Sequence, residues 1–411
     1  MTLRASKPAF NVREKLTELG RRFGLKGSEL AAAETVQEAR DLISVGRKNK
    51  VINGAMQLSQ RKTSESGISS SNTVRVLDRY QVRVNSIGTW TVSQSTQSPP
   101  GFSNSMRWQC TTADASPGAS DFIYMAHRFE GLNVQDLAKG TSSAKPVTVS
   151  FWVRSTVTGS YSFRLVDDQN NRQIGQNYTV NQADTWEHKT MTFAGDTTGA
   201  LANDNSNRLS MLWWLAVGSN RTSGAIPTSW ETMTTADEAA GQTANIASST
   251  SNNFYITGIQ LEVGRNATDF EHRSYNEELQ LCKRYYQRWN GNDPDFNTYN
   301  SSGNRTGTTS VARATLIAQG VVHDPDDANV SMMLDVEMRD NPTVELPSGN
   351  NSIRLIVGQS IYDNATYVQE NNCSRNILSI FVDNGGAMTA SQPASLVLRD
   401  SNSYIALNAE L

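Results

Sequence analysis

The sequence predicts a mainly β protein whose helices are confined to the N-terminal end and to one short segment past the middle. Three observations carry this prediction. Several stretches alternate apolar and polar residues strictly, clusters of turn residues separate them, and hydrophobic residues supply only 37% of the 411 positions. Ser, Thr and Asn crowd the chain from Ser64 to Ser251, which suits many short strands joined by polar turns. Strands in succession, with no helical stretch between them, imply a two-sheet antiparallel sandwich. A chain of this length exceeds one ordinary core, so two or three domains are expected.

The first segment, residues 1–48, reads as a helical anchor. Asn11 is placed to cap a helix whose apolar residues Val12, Leu16, Leu19 and Phe23 recur at coiled-coil spacing. Gly20 and Gly24 weaken its end. A second helix begins with a capping box of Thr35 and Glu38 and stops at Gly46. So short a seam is marginal alone and needs a partner, either its own domain or another chain.

The second segment, residues 49–273, reads as β throughout. Val147, Val149, Phe151 and Val153 point to one face while Thr148, Ser150, Trp152 and Arg154 point to the other. Tyr161, Phe163 and Leu165 repeat the pattern, as do Leu209, Met211, Trp213, Leu215 and Val217, and a final strand runs from Phe254 to Val263. Ser98-Pro-Pro-Gly101 and Gly195-Asp-Thr-Thr-Gly199 mark turns.

The third segment, residues 274–290, is predicted as a linking helix. Ser274 and Glu277 form a capping box, Glu277 and Glu278 suit the helix start, and Lys283, Arg284 and Arg288 suit its end. Leu279, Cys282, Tyr286 and Trp289 follow a second coiled-coil-like spacing that fits either assembly of chains or packing back on the sandwich. The last segment, residues 291–411, is β again. Strands are expected at Ser310–Val322, Thr343–Leu346, Ser352–Val357, Asn376–Val382, Ser395–Arg399 and Tyr404–Leu411, forming a C-terminal knob.

A net charge of -3, from 37 basic and 40 acidic residues, provides no positive field to gather nucleic acid. Cys110, Cys282 and Cys373 lack metal-site spacing and read as free thiols of a reducing compartment. Residues 1–10 hold no apolar run fit for a signal peptide, and no segment approaches the length of a membrane span. A soluble protein made in the cytoplasm is the expectation.

The run Ile259-Gln-Leu-Glu-Val-Gly264, with Phe270-Glu-His-Arg-Ser274 and Leu279-Gln-Leu-Cys-Lys-Arg-Tyr-Tyr286, resembles a junction recurrent in structural and fibre proteins of tailed bacteriophages. The closing Tyr404-Ile-Ala-Leu-Asn-Ala-Glu-Leu411 resembles the final strand of such fibres. The opening Lys50-Val-Ile-Asn-Gly-Ala-Met-Gln57 resembles the first strand of jelly-roll carbohydrate-binding modules, so residues 49–273 are expected to be a jelly roll. That family can hold a structural Ca²⁺ between its first and last strands. Here Ala55 and Gln57 stand where acids are common, which leaves Glu262 as the metal candidate. The resemblance implies a virion appendage of the tail-fibre kind that adheres without catalysis, a homotrimer docked on other virion proteins through its N-terminal helices.

No Gly-x-Ser-x-Gly, His-Glu-x-x-His or phosphate loop occurs, and His127, His188, His272 and His323 are scattered, so no enzyme is expected. Asp167-Asp168 and Asp324-Pro-Asp-Asp327 read as turn residues. Sugar binding needs only aromatic faces to stack on pyranose rings, with polar groups beside them. Trp152, Trp214 and Tyr161 are the stacking candidates, and Trp90, Trp108 and Trp230 also lie in polar surroundings. The reading is an adhesin for host surface polysaccharide, displayed on a virion. Its rivals are a capsid decoration with a purely structural role and a polysaccharide depolymerase or enzyme-attached module.

Overall fold

The computed structural model describes residues 47–290, 315–347, 353–358, 360–362, 366–369, 373–383, 388–398 and 403–411. The proposed seam of Val12, Leu16, Leu19 and Phe23 lies outside the described residues. Eleven strands build the sandwich: β1 Ser64–Val74, β2 Tyr80–Ser95, β3 Ser105–Thr112, β4 Phe122–Glu130, β5 Val147–Ser155, β6 Gly159–Asp167, β7 Arg172–Val180, β8 Glu187–Phe193, β9 Asn207–Val217, β10 Glu231–Thr232 and β11 Asn253–Val263. They are hydrogen-bonded in the order β10-β7-β6-β9-β4-β2-β3-β11-β5-β8, with β1 beside β2, and the pairings are antiparallel.

This path folds over on itself at β2. Residues 80–85 of β2 pair with β4 and residues 89–95 with β3. Between the two halves, Ser86 and Gly88 take φ of 53° and 66°, and a Cβ on Gly88 would stand 2.4 Å from the Thr112 carbonyl oxygen. The result is two layers, with β10-β7-β6-β9-β4 facing β3-β11-β5-β8. Ring contacts join them: Phe151 of β5 lies 5.9 Å from Trp213 of β9 and 5.1 Å from Tyr178 of β7. The alternation read from Val147 to Val153 is the inward face, and all four residues are buried.

The segment expected as an opening strand at Lys50–Gln57 is instead a turn. Asn53 and Met56 have φ of 60° and 57°, and the Met56 N–H donates to the Asn53 carbonyl oxygen. The Asn53 side chain donates to the Leu58 and Asp78 carbonyls and accepts from the Leu58 N–H, so the polar side chain replaces a strand ladder.

Helix α1, Tyr275–Lys283, starts with the expected Ser274/Glu277 capping box. It is shorter than the sequence spacing implied. Tyr286–Asn290 is strand β12, paired with the chain end, so Tyr286 and Trp289 are not on a helix. Cys282 and Tyr286 are buried in their own chain, Leu279 is half-buried, and Trp289 packs on the C-terminal core. The four residues therefore do not line one helical seam.

The C-terminal part continues with β13 Thr315–Val322, β14 Asp327–Met333, β15 Thr343–Glu345, β16 Ile353–Val357, β17 Ser360–Tyr362, β18 Thr366–Gln369, β19 Ile377–Asp383, β20 Pro393–Leu398 and β21 Tyr404–Asn408. A seven-stranded sheet, β17-β16-β20-β13-β14-β19-β18, and a three-stranded sheet, β12-β21-β15, share one core around Val330, Leu355, Ile380, Leu396 and Ile405.

A buried charge cluster ties this part to the sandwich. The Glu410 carboxylate pairs with Arg79, sits 3.4 Å from Arg61 and 3.9 Å from Arg75, and the three guanidiniums hold it down to about 2 against its burial. Arg79 and Arg61 lie 3.4 and 3.6 Å from the centres of the Tyr285 and Tyr286 rings. Beside them Arg284 binds the buried Glu130 carboxylate through two donors at 2.8 and 2.6 Å.

Candidate ligand-binding face

Strand alternation puts two outer faces on the sandwich, and they differ. On the β6-β9-β4 face, Trp214 packs edge-on against Phe122 and tilted against Tyr124, and Ala239, from the long connection between β9 and β11, packs over them. Trp214 is only 2% exposed. On the β3-β11-β5-β8 face the outward residues stay partly open.

Register fixes what stands in each row of that face. Tyr255 of β11 is paired with Arg107 of β3 on one side and with Arg154 of β5 on the other. Continuing the β5–β8 register by one step places Trp186, just ahead of β8, opposite Arg154. The adjacent row runs Thr257, Trp152, His188. Ring geometry agrees: Trp186 and Tyr255 are 6.2 Å apart, and Trp152 and His188 are 5.1 Å apart. Trp152 and Trp186 are half-buried and His188 is exposed, while Tyr255 is buried beneath the two arginines.

A bulge in β11 between Thr257 and Gln260 lets the aromatic strip continue. Gly258 there has φ 63°, and a Cβ on it would meet Phe102 Cζ at 2.7 Å and Trp152 Cδ1 at 3.0 Å. The backbone is bare where the two rings converge. Phe102 in turn lies 5.0 Å from Phe270 and 5.3 Å from His272.

The charges of the face are unequal. Arg107 and Arg154 hold their guanidinium carbons 5.9 and 5.2 Å from the Tyr255 ring centre. Arg107 donates from Nε to Asn253 Oδ1 at 3.0 Å and has no carboxylate partner among the described residues. Arg154 donates to Gln97 Oε1 at 2.9 Å and to Asp184 Oδ1 at 3.2 Å, and the Asp184 side chain is 57% exposed. Shielding of part of the ring pushes the His188 imidazole below its ordinary value. Aromatic surface of this kind can stack on sugar rings, and the guanidiniums can bind hydroxyl or acidic groups.

Of the sugar-stacking candidates singled out in the sequence, only Trp152 stands on this face. Trp214 is covered as described, and Tyr161 is fully buried between Tyr178 and Phe254 at 5.6 Å from each, with its hydroxyl bonded to Ser155. Trp90 and Trp108 are core residues, and Trp230 donates to the Ala194 carbonyl and packs near Lys139. Glu262 is 2% exposed, and its oxygens accept from Gln260 Nε2 and from the N–H and hydroxyl of Thr268. It closes the 264–268 loop and does not offer a vacant oxygen cage. Asp324 likewise accepts from the N–H groups of Asp326 and Asp327, as a turn residue should. Asp167 accepts from the Gln169 and Asn170 N–H groups and adds an ion pair with Lys139.

Trp186, Tyr255, Arg107 and Phe102 were missed. The signal for Tyr255 was the alternation of Asn253, Tyr255 and Thr257 in a strand already recognised. Trp186 and Arg107 required the cross-strand register.

No family model and no curated protein matches the sequence. Among solved structures, the enzymatically active domain of bacteriophage CBA120 tailspike protein 4 aligns at 12% identity and TM-score 0.28, covering 53% of this chain and 21% of that one. The chain thus spans about a fifth of the tailspike's length. A family 11 carbohydrate-binding module from Clostridium thermocellum, in complex with a β-1,3-1,4-mixed-linked tetrasaccharide, aligns at 9% identity and TM-score 0.26, covering 50% and 99%. The CBM22-2 xylan-binding domain of a Paenibacillus barcinonensis protein aligns at 10% identity and TM-score 0.25, covering 45% and 92%. Resemblance at this level assigns neither a family nor a ligand.

Proposed function

We propose that this protein is a virion appendage of a tailed bacteriophage that adheres to host surface polysaccharide without cleaving it, its sandwich being a jelly-roll glycan-binding domain. The observation that supports the reading is the inequality of the two outer faces. One is closed by a loop over Trp214, and the other leaves Trp152, Trp186 and His188 partly open beside two arginines. A half-buried indole held by a ring neighbour offers a rigid flat surface with little entropy left to lose on binding a sugar. Display of several copies, as in a trimeric fibre, multiplies weak sites into firm attachment. The phage assignment rests on the sequence junction at 259–286 and the closing strand.

The test is adsorption of labelled full-length protein to host cells, in competition with purified host polysaccharide, for the parent and for Trp152→Ala. Loss of adsorption by a variant that stays folded and keeps its parent's mass in light scattering supports recognition. Loss of assembly instead marks the face as a packing surface, and release of reducing ends from the polysaccharide would make the protein a depolymerase.

A further inference from the structure

We infer that the ligand of this face is an acidic polysaccharide, with a carboxylate of the chain bridging Arg107 and Arg154 while its sugar rings lie on Trp152 and Trp186. The inference rests on the glycan-binding reading above and adds the class of glycan. Arg107, Tyr255 and Arg154 stand side by side on three neighbouring strands, so both guanidiniums converge on one ring. Among the described residues, the two like charges gathered on one buried tyrosine are opposed by a single carboxylate, Asp184, which is exposed and pairs with Arg154. An exposed pair of that kind is weak and readily exchanged for a better-placed anion. Arg107 spends one donor on Asn253 and retains its terminal nitrogens toward the row.

The other charged groups near the row do not cancel this surplus. Glu187, at the start of β8, is engaged by Lys189 and by the Asn181 and Gln182 N–H groups. Glu262 is buried and satisfied by Gln260 and Thr268. A neutral glycan would leave Arg107 without an anion and Arg154 with only the exposed Asp184, whereas a uronate-type carboxylate can accept from the forked donors of a guanidinium.

The experiment is affinity electrophoresis of the full-length protein in gels containing hyaluronate, alginate, carboxyl-reduced hyaluronate or dextran. Retardation by an acidic polymer, lost with the carboxyl-reduced form, is expected. Arg107→Gln and Arg154→Gln should each weaken it about tenfold, as loss of one charge-assisted contact implies. Both residues lie on the outer face, so the variants should melt with the parent. Equal retardation by carboxyl-reduced hyaluronate or dextran, dependent on Trp152 but not on Arg107, would overturn the acidic assignment and leave glycan binding intact. Retardation by none of the polymers would overturn it too, and failure of the host-cell adsorption test would then remove the adhesion reading separately. Dissociation of an oligomer by Arg107→Gln would make the face a contact between copies of this chain and also overturn it.

Discussion

Replacing Glu410 with Gln should uncouple the chain end from the sandwich at a calculable cost. The Glu410 carboxylate is fully buried, and Arg79, Arg61 and Arg75 hold it at about 2 instead of 4.5. A depression of that size corresponds to about 3 kcal/mol of folding free energy at neutral pH. Glutamine keeps the shape but deprives Arg79, Arg61 and Arg75 of the carboxylate they share, leaving only the more distant Asp78 near Arg61, which puts the loss in the range of a broken buried pair, about 3–5 kcal/mol. Because the folded-state value is depressed, the stabilisation is complete above pH 4.5 and disappears as the pH falls through about 2. Urea unfolding of parent and Glu410→Gln, followed by tryptophan fluorescence at pH 7 and pH 2.5, measures both quantities. A difference below about 1 kcal/mol at pH 7, typical of an exposed ion pair, would refute the reasoning. So would a difference that stays constant down to pH 2.5.

Further expectations concern neighbouring and outward residues. Burial raises the Asp78 carboxyl from 3.8 to about 6, so its ionisation opposes folding, an effect absent below about pH 4 and complete above about pH 6. Asp78→Asn should therefore raise stability at pH 7 by about 2 kcal/mol after allowing for a weakened bond to Gln60, and the gain should vanish by pH 4 in the same urea assay. Trp214→Ala should cost about 3–5 kcal/mol in thermal or urea unfolding, because it opens a cavity under the loop, whereas Trp152→Ala should cost about 1 kcal/mol or less. Gly258→Ala should destabilise by about 1–3 kcal/mol and lower polysaccharide affinity together, since the new methyl meets a positive φ and displaces Phe102 and Trp152.

How far the sequence could be read follows from the range of each signal. Period-two alternation is local, so the inward face of β5, the strand expected at Phe254–Val263 and the β character of the C-terminal part were all legible. Capping chemistry is local too, and Ser274 with Glu277 marked the helix start correctly. Its end was misjudged because Tyr286 and Trp289 continue a helical spacing by coincidence, while the pairing of β12 with β21 involves residues more than a hundred positions away. Trp214 looked available because alternation turns it outward. What covers it is Ala239 on a distant connection, and no window of the sequence announces that. The ligand-binding face was half legible for the same reason. Trp152 showed itself by standing among polar residues, but the convergence of Arg107 and Arg154 on Tyr255 exists only once three strands are set in register.

Oxidative footprinting of the tryptophans with and without host polysaccharide tests the central claim most directly. If the outer face of β3-β11-β5-β8 binds glycan, modification of Trp152 and Trp186 should fall on addition of polysaccharide while that of Trp230, half-buried elsewhere, stays unchanged. Unchanged modification of Trp152 and Trp186 at a polysaccharide concentration that retains the protein on the polymer would contradict the account and move recognition to another surface.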